Sequence, residues 1–349
     1  MTTIADRPTN AGPAPVRRGR HDAVTSDFQP GGFALQDTWI PLAHAGQVGR
    51  RVLRRPLHGA DVYVSRDRNG RLRASLTSPA DEARGRRIES WRSPNGADLP
   101  LVERYGYAWV WFGAPERADV DLMPNIPHIP VEGVPRHMQQ TVVFDCSNEL
   151  VAENLLDLTH ADFLHSAITG DSLCEDDRIT IESTSETVTM TRFSTNRPVP
   201  KAQRMFAGAD MQDLTAVTFV HVRSGVCLLH GNFQPGMSVR MLHPCNPETR
   251  WRSRTPVSFN LQNTKGFVRH LFPAVAHVVG SQDNWAVKPQ NPMYVHAPEH
   301  RDENSRFDAA GIRYRLVLEN LVERQKQGDL SYLPDGHPGR DIRDELLID

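Results

Sequence analysis

The sequence predicts an α+β fold, with a small all-β unit followed by a large antiparallel sheet that has helices packed on one side. Three observations predict it. Short alternating segments separated by turn residues fill residues 37–117, a longer series of alternating strands fills 179–259, and helical spacing of apolar residues appears only around that second series. The 349 residues suffice for two domains or one large one. With 39% hydrophobic and 23% charged residues the composition is ordinary for a globular chain. A formal net charge of -2 gives no electrostatic case for nucleic acid or an anionic membrane. No apolar run approaches the roughly 20 residues that span a bilayer.

Residues 1–36 are rich in Pro, Thr, Ala, Gly and Arg, have no periodicity, lack the apolar core of a secretory signal, and read as a disordered arm. Over 37–117, VLRRPL (52–57), DVYVSRD (61–67) and RLRASL (71–76) are strand-like, and Asn69-Gly70 marks a hairpin turn. YAWVWFG (107–113) alternates aromatic and aliphatic residues, and its Trp109 and Trp111 read as one packed sheet face. The Pro-rich segment 118–136 is the expected linker to a second domain over 137–330, with 331–349 as a C-terminal tail. That second domain opens with a strand in HMQQTVVFDCSN (137–148) and a helical segment at 149–166. Strands follow in 179–193, 214–222, 226–233, 238–244 and 251–259, alternating as half-buried antiparallel strands do. Helices are expected over 264–287 and about 305–327, where Leu316, Leu318, Leu321 and Val322 recur at helical spacing.

The four cysteines, Cys146, Cys174, Cys227 and Cys245, show no C-x-x-C or C-x-H spacing. This argues against a structural zinc site, an iron–sulfur cluster and a disulfide framework, and points to a reducing cytoplasm.

The segment ENLLDLTHADFLH (153–165) carries the chemistry. A non-haem Fe(II) site needs two neutral imidazoles and one carboxylate on one face of the metal. His160 and His165 are five apart, which on an ideal helix sets them about 140° apart. They converge on one metal only if the helix is widened or broken between them. Asp157, one turn before His160, is placed to orient that imidazole. Spacing alone leaves two readings open, a metal site or two polar histidines near a helix end.

The pattern Asn154-x-x-Asp157-x-x-His160-x-x-x-x-His165 resembles the iron motif of the α subunits of Rieske non-haem iron oxygenases. That family's third ligand is an Asp on a later helix in a D-x(6)-Q context, which Asp283 and Gln290 match within Gly280-Ser281-Gln282-Asp283-Asn284-Trp285. The order of elements is similar too, over roughly 38–325. The resemblance implies that His160, His165 and Asp283 bind iron, that Asp157 is the acidic bridge towards a neighbouring subunit's cluster, and that Asn154 lines the iron pocket. It also implies a helix-grip (START/Bet v1-like) catalytic domain whose curved antiparallel sheet wraps a long helix.

The sequence departs from the family where a [2Fe-2S] cluster is usually held. WIPLAHAGQVGRRVL (39–53), DVYVSRDRNGRLRASL (61–76) and LPLVERYGYAWVWFG (99–113) resemble the Rieske framework strands, yet no cysteine precedes Cys146. Ser78-Pro79-Ala80 stands where the family has Cys-Pro-His, and only residues 81–98 remain for the second loop. Serine and alanine supply neither thiolate nor imidazole, so no cluster is expected.

The expectation is therefore an Fe(II)-dependent oxygenase joining O2 to a small, electron-rich aromatic or heteroaromatic molecule that itself supplies the electrons. The alternatives are a terminal oxygenase fed by a separate Rieske protein and reductase, or an inactive structural subunit. The family resemblance implies a homotrimer, or a hetero-oligomer with a Rieske-bearing homologue. His221, His230 and His243 fall on predicted strands and are candidates for the cavity wall, though strand histidines are more often structural. No G-x-S-x-G, Walker or G-x-G-x-x-G motif is present.

Overall fold

A computed structural model describes residues 34–76, 98–169, 177–201, 203–264, 266–296, 302 and 304–348. The expected arm lies outside the described residues up to position 33, and so do Ser78-Pro79-Ala80 and Cys174. At the end of the arm, the Gln325 side chain holds the backbone at two points, accepting from Gln36 N and donating to Ala34 O, both at 2.8 Å.

Six strands come first among the described residues: β1 (Thr38–His44), β2 (Leu53–Leu57), β3 (Ala60–Arg66), β4 (Leu72–Ser75), β5 (Leu101–Arg104) and β6 (Tyr107–Phe112). They form two three-stranded antiparallel sheets, ordered β1-β6-β5 and β2-β3-β4. The Asn69-Gly70 turn closes β3 onto β4. Asp67 Oδ1 accepts from the backbone N–H of Asn69 and Arg71, and Gly70 takes the positive φ of 78° that the turn requires. Trp39, Trp109 and Trp111 are buried, with Trp39 edge-on to Trp111 at 5.4 Å between centroids. They share one core with Val217, Phe219 and Leu242 of the large sheet and with Met123, Ile126 and Ile129 of the Pro-rich segment. The aromatic strand face is thus packing surface. Tyr107 reinforces the joint, its hydroxyl donating to Pro256 O at 2.8 Å and meeting Ser258 Oγ at 2.7 Å.

The large sheet has β7 (Gln139–Phe144), β8 (Arg178–Ser183), β9 (Thr187–Pro198), β10 (Met211–His221), β11 (Val226–Gln234), β12 (Ser238–Pro244), β13 (Asn246–Thr249) and β14 (Arg252–Gln262). Its order is β13-β14-β12-β11-β10-β9-β8, with β7 on the other side of β14. The single strand expected over 179–193 is a hairpin, β8 turning into β9 at Thr184–Glu186, where Thr184 N donates to Thr187 O at 3.0 Å.

The α+β expectation holds, but the helix-grip (START/Bet v1-like) domain does not. The eight-stranded sheet is open, and its path ends at β13 and β8, which do not pair. The end strand β13 lies against β2 and β1 of the first half of the chain. Among the described helices are α1 (Asn148–Leu156), α2 (His160–Leu164), α3 (Ser166–Thr169), α4 (Arg204–Ala207), α5 (Val268–Val287), α6 (Asn291–His296), α7 (Ala309–Lys326) and α8 (Arg343–Leu346). The helix α5 packs on β7 and α7 on β8 and β9. None of the described helices is long and apolar enough to cross a membrane.

Candidate metal centre

Three short elements place the two histidines. The segment expected to be helical over 149–166 is broken twice. The first break follows α1, where Asp157 Oδ1 accepts from Thr159 N at 2.9 Å and from Thr159 Oγ1 at 2.5 Å. This local side-chain turn competes with helical hydrogen bonding. The second falls at His165, which ends α2 with φ -117° and ψ 25°. His160 opens α2 and His165 closes it, so the kinks, not a continuous helix, turn both imidazoles towards one point. Their ring centroids lie 5.3 Å apart, with planes at 81°.

Neighbouring contacts fix this segment against the long helices. Arg315 on α7 grips Glu153 on α1 with two bonds of 2.6 and 2.7 Å. Asn284 Oδ1 on α5 accepts from Asp145 N at 2.8 Å, clamping the helix beside Asp283. Gly280 brings α5 close to β7, for a Cβ there would stand 2.9 Å from Val142 Cγ1.

Asp283 Oδ1 lies 2.9 Å from His165 Nε2 and 3.3 Å from His160 Nε2. Ligands at neighbouring positions on bonds of about 2.1 Å stand about 3 Å apart, so these separations fit a metal. Among the described residues, His160, His165 and Asp283 form the one group of three or more such side chains whose ligand atoms all lie within 4.8 Å. They form a two-histidine, one-carboxylate facial triad.

The outer hydrogen bonds decide what those atoms can hold. His160 Nδ1 faces the backbone carbonyl of Asp157, and His165 Nδ1 faces Gln282 Oε1 at 2.9 Å. Both partners accept, so both Nδ1 atoms carry hydrogen and both Nε2 atoms are left as lone pairs. Two lone pairs and a carboxylate oxygen then converge, an arrangement that needs a cation. Electrostatics keep the carboxylate ionised and let a proton compete for His160. Burial alone raises the Asp283 pKa, but hydrogen bonds and charge from His160 and His165 outweigh it and hold the carboxyl well below its usual range. Burial lowers the His160 pKa, yet Asp283 and then Asp157 together more than offset this and the net shift is upward.

Asn154 donates from Nδ2 to Asp283 Oδ1 at 3.0 Å, so it touches the carboxylate. Asp157 meets His160 through its backbone carbonyl, while its carboxylate is used in the Thr159 turn. Gln290 lies apart from the centre, exposed and bonded to Ala286 O at 3.1 Å. Gln282 carried no sequence signal of its own. It stands beside Asp283 in the chain, and only the packing of α5 against His165 shows its contact.

The triad borders a cavity of about 230 Å³ walled mainly by apolar side chains, including Leu214, Phe233, Met241, Val257 and Phe259. Of the strand histidines, His230 and His243 line it. His230 is held by Leu346 O at 2.8 Å and Ser238 Oγ at 3.1 Å. His243 is buried with Nδ1 unpartnered, and burial pushes its pKa down to about 4 despite the charge of Asp283. His221 lies elsewhere, against Ser224 Oγ at 2.8 Å.

The family model described as vanillate O-demethylase oxygenase C-terminal domain matches residues 144–324, more than half of the 349. The chain belongs to that family, within the Rieske-type aromatic-ring-hydroxylating oxygenases. The match takes in all three members of the triad. Among relatives of this family, the vanillate O-demethylase oxygenase subunit of Pseudomonas sp. (strain HR199 / DSM 7063) is 27% identical over 121 residues, 33% of this chain and 32% of that protein. The alignment thus spans about a third of that relative's length. The oxygenase component of chloroacetanilide N-alkylformylase from Rhizorhabdus wittichii (strain DC-6 / KACC 16600) is 24% identical over 270 residues, 62% of this chain and 73% of that protein. The crystal structure of dicamba monooxygenase bound to 3,6-dichlorosalicylic acid superposes with a TM-score of 0.69 at 18% identity, covering 84% of this chain and 98% of that one. That likeness concerns the fold.

Proposed function

We propose that this protein is a mononuclear Fe(II)-dependent oxygenase acting on a small, electron-rich organic molecule, with His160, His165 and Asp283 as metal ligands. The observation that carries the reading is the convergence of two imidazole lone pairs and a carboxylate oxygen at the wall of an apolar cavity. Ferrous iron held there supplies the one-electron chemistry that lets O2 react with a closed-shell organic molecule. The chain's own residues do the rest. Gln282 and the Asp157 carbonyl set the imidazole tautomers, Asn154 steadies Asp283, and the apolar wall excludes water from the reacting pair. An engineered cavity of about 150 Å³ holds benzene, so about 230 Å³ suits a substituted single ring.

With no cysteine before Cys146 to hold a cluster, the substrate is proposed as the electron source. A second reading has its own support. Relatives are described as an oxygenase subunit or component, which favours a partner that delivers electrons. In that reading Asp157 is the bridge to a cluster-bearing neighbour, in a homotrimer or mixed ring.

The test is anaerobic reconstitution with Fe(II), followed by iron and acid-labile sulfide analysis beside Asp283→Ala. About one iron per chain without sulfide, lost in the variant, is expected. Failure to retain iron would sink the oxygenase reading. Substrate-dependent O2 uptake without a reductase then separates the two electron sources.

A further inference from the structure

Gly231 lies on β11, and among the described residues it is the one glycine inside a β-strand. Glycine weakens a strand interior, so its presence there calls for a reason: a bulge, an unusual backbone angle, or the close approach of another group. The protein itself supplies none of these. Gly231 pairs with Ala216 on β10 and Val239 on β12, and both ladders run through it without a shift in register. Its φ is not positive. Beyond its chain neighbours, a Cβ built on it would meet one atom within 4 Å, Phe233 Cε2 at 3.7 Å, an ordinary contact. Gly280 is the contrast, since Val142 leaves no room for a side chain there.

What lies over Gly231 is the cavity. Gly231, Ala216 and Val239 all line it, and the first two are only half-buried although they sit on central strands. Alternation puts Gly231 on the same face as Leu229 and Phe233, which line the cavity as well.

This part of the wall is the end away from the metal. His243, which feels the charge of Asp283, stands opposite Cys227, whereas Val239 stands opposite Gly231. Four residues of strand separate the two rows, about 13 Å at about 3.3 Å per residue. On the helical wall, Phe272 lies about three turns of α5 before Asp283, roughly 16 Å along the axis. Phe272 packs against the cluster that holds Phe233 and Val239. Polar groups of the wall beyond the triad are engaged. Arg192 pairs with Asp162 and Asp177, and His230 has both ring nitrogens bonded.

We propose that Gly231 sets the length of substrate that the chamber admits, and that the substrate is an aromatic ring with an apolar chain opposite its reacting edge, the chain's end lying over the bare backbone of Gly231. This rests on the reading of the cavity as the substrate chamber and deepens it. The glycine gives up strand stability in exchange for reach.

The experiment is anaerobic calorimetric titration of the iron-loaded protein with phenol and 4-propylphenol, which differ by a three-carbon chain, beside urea unfolding of each variant. The wild type is expected to bind 4-propylphenol at least about tenfold more tightly, since each buried methylene favours binding about fourfold. Gly231→Ala is expected to narrow that preference and Gly231→Val to erase it. Phenol, too short to reach the residue, is expected to bind both variants as it binds the wild type. The unfolding midpoint of Gly231→Ala is expected to be no lower than the wild type's. A preference that survives in Gly231→Val overturns the proposal. So does a variant that loses both probes alike, and so does a lowered midpoint in Gly231→Ala, which would make the glycine structural. A wild type that keeps its iron yet shows no preference for the longer probe overturns this inference alone. A wild type that holds no iron overturns the parent reading as well.

Discussion

His165 shows how much of a metal site is set one bond away from the ligand atoms. Its ring is held between Asp283 at 2.9 Å and Gln282 at 2.9 Å, so Gln282 decides which nitrogen is free. Loss of such an orienting partner in a metal site commonly weakens metal binding about 10–100-fold. Gln282→Leu and Asn154→Leu are therefore expected to retain a site with affinity lowered by that order, read by chelator competition. His160→Ala, His165→Ala and Asp283→Ala are expected to retain no iron through desalting. Wild-type affinity in Gln282→Leu would show that ring orientation is carried by packing instead. The ligands themselves could be recognised in the chain because their spacing is local, within 153–165 and 280–290. Asn154 was legible as a neighbour of the site, but its bond to Asp283 joins residues 129 positions apart and belongs to tertiary structure.

At the scale of elements, the site depends on how closely α5 approaches β7. Gly280 lies one turn before Asp283 and meets Val142 where a Cβ would stand at 2.9 Å. Gly280→Ala gains about 1 kcal/mol of helix propensity. It also forces an overlap that typically costs about 1–3 kcal/mol in a packed core. The overlap pushes α5 outward and carries Asp283 away from the histidines, so iron affinity is expected to fall even where stability changes little. Val142→Ala in the same chain removes the overlap and is expected to restore iron binding. Independent, additive effects in this double-mutant cycle would refute the close approach as the cause. The same scale explains which elements could be read from the chain. Strand alternation located β2, β3, β6, β10, β11 and β12 because each has its own period and flanking turns. A break in the helical segment over 149–166 was a condition of the metal reading, but its place was not legible, because apolar spacing carries no record of the Asp157–Thr159 turn that interrupts it. The sheet's closure was misjudged because it depends on whether the end strands pair, and alternation within each strand carries no record of that.

For the molecule as a whole, the buried histidines dictate how stability responds to acid. Burial pushes His58 and His221 down to about 3, and His44, His128 and His243 down to about 4, against an ordinary value of 6.5. In the unfolded chain these rings take up protons near pH 6.5, whereas the folded rings stay neutral until well below it. The unfolded state thus binds more protons between about pH 4 and 6.5, and stability rises with pH across that window. Their contribution is fully present above 6.5 and lost as the pH falls. His160 has the opposite sign, since its pKa is raised, but it is one ring against this set. Each depressed histidine contributes a slope of up to about 1.4 kcal/mol per pH unit with the same sign, so their effects reinforce one another. Urea unfolding of the metal-free protein, followed by the fluorescence of buried Trp109 and Trp111, is expected to give similar midpoints at pH 7.5 and 7.0 and a steep fall below pH 6.5. His221→Phe is expected to make that fall shallower by about one proton's slope, because its ring sits stacked on Tyr332 where an aromatic replacement is accommodated. A midpoint that stays level down to pH 5 would mean that these imidazoles are protonated in the folded protein, and with it would go the picture of a core shared between the two halves of the chain, in which His44 bonds Gln140 and His128 bonds Met241 across that joint.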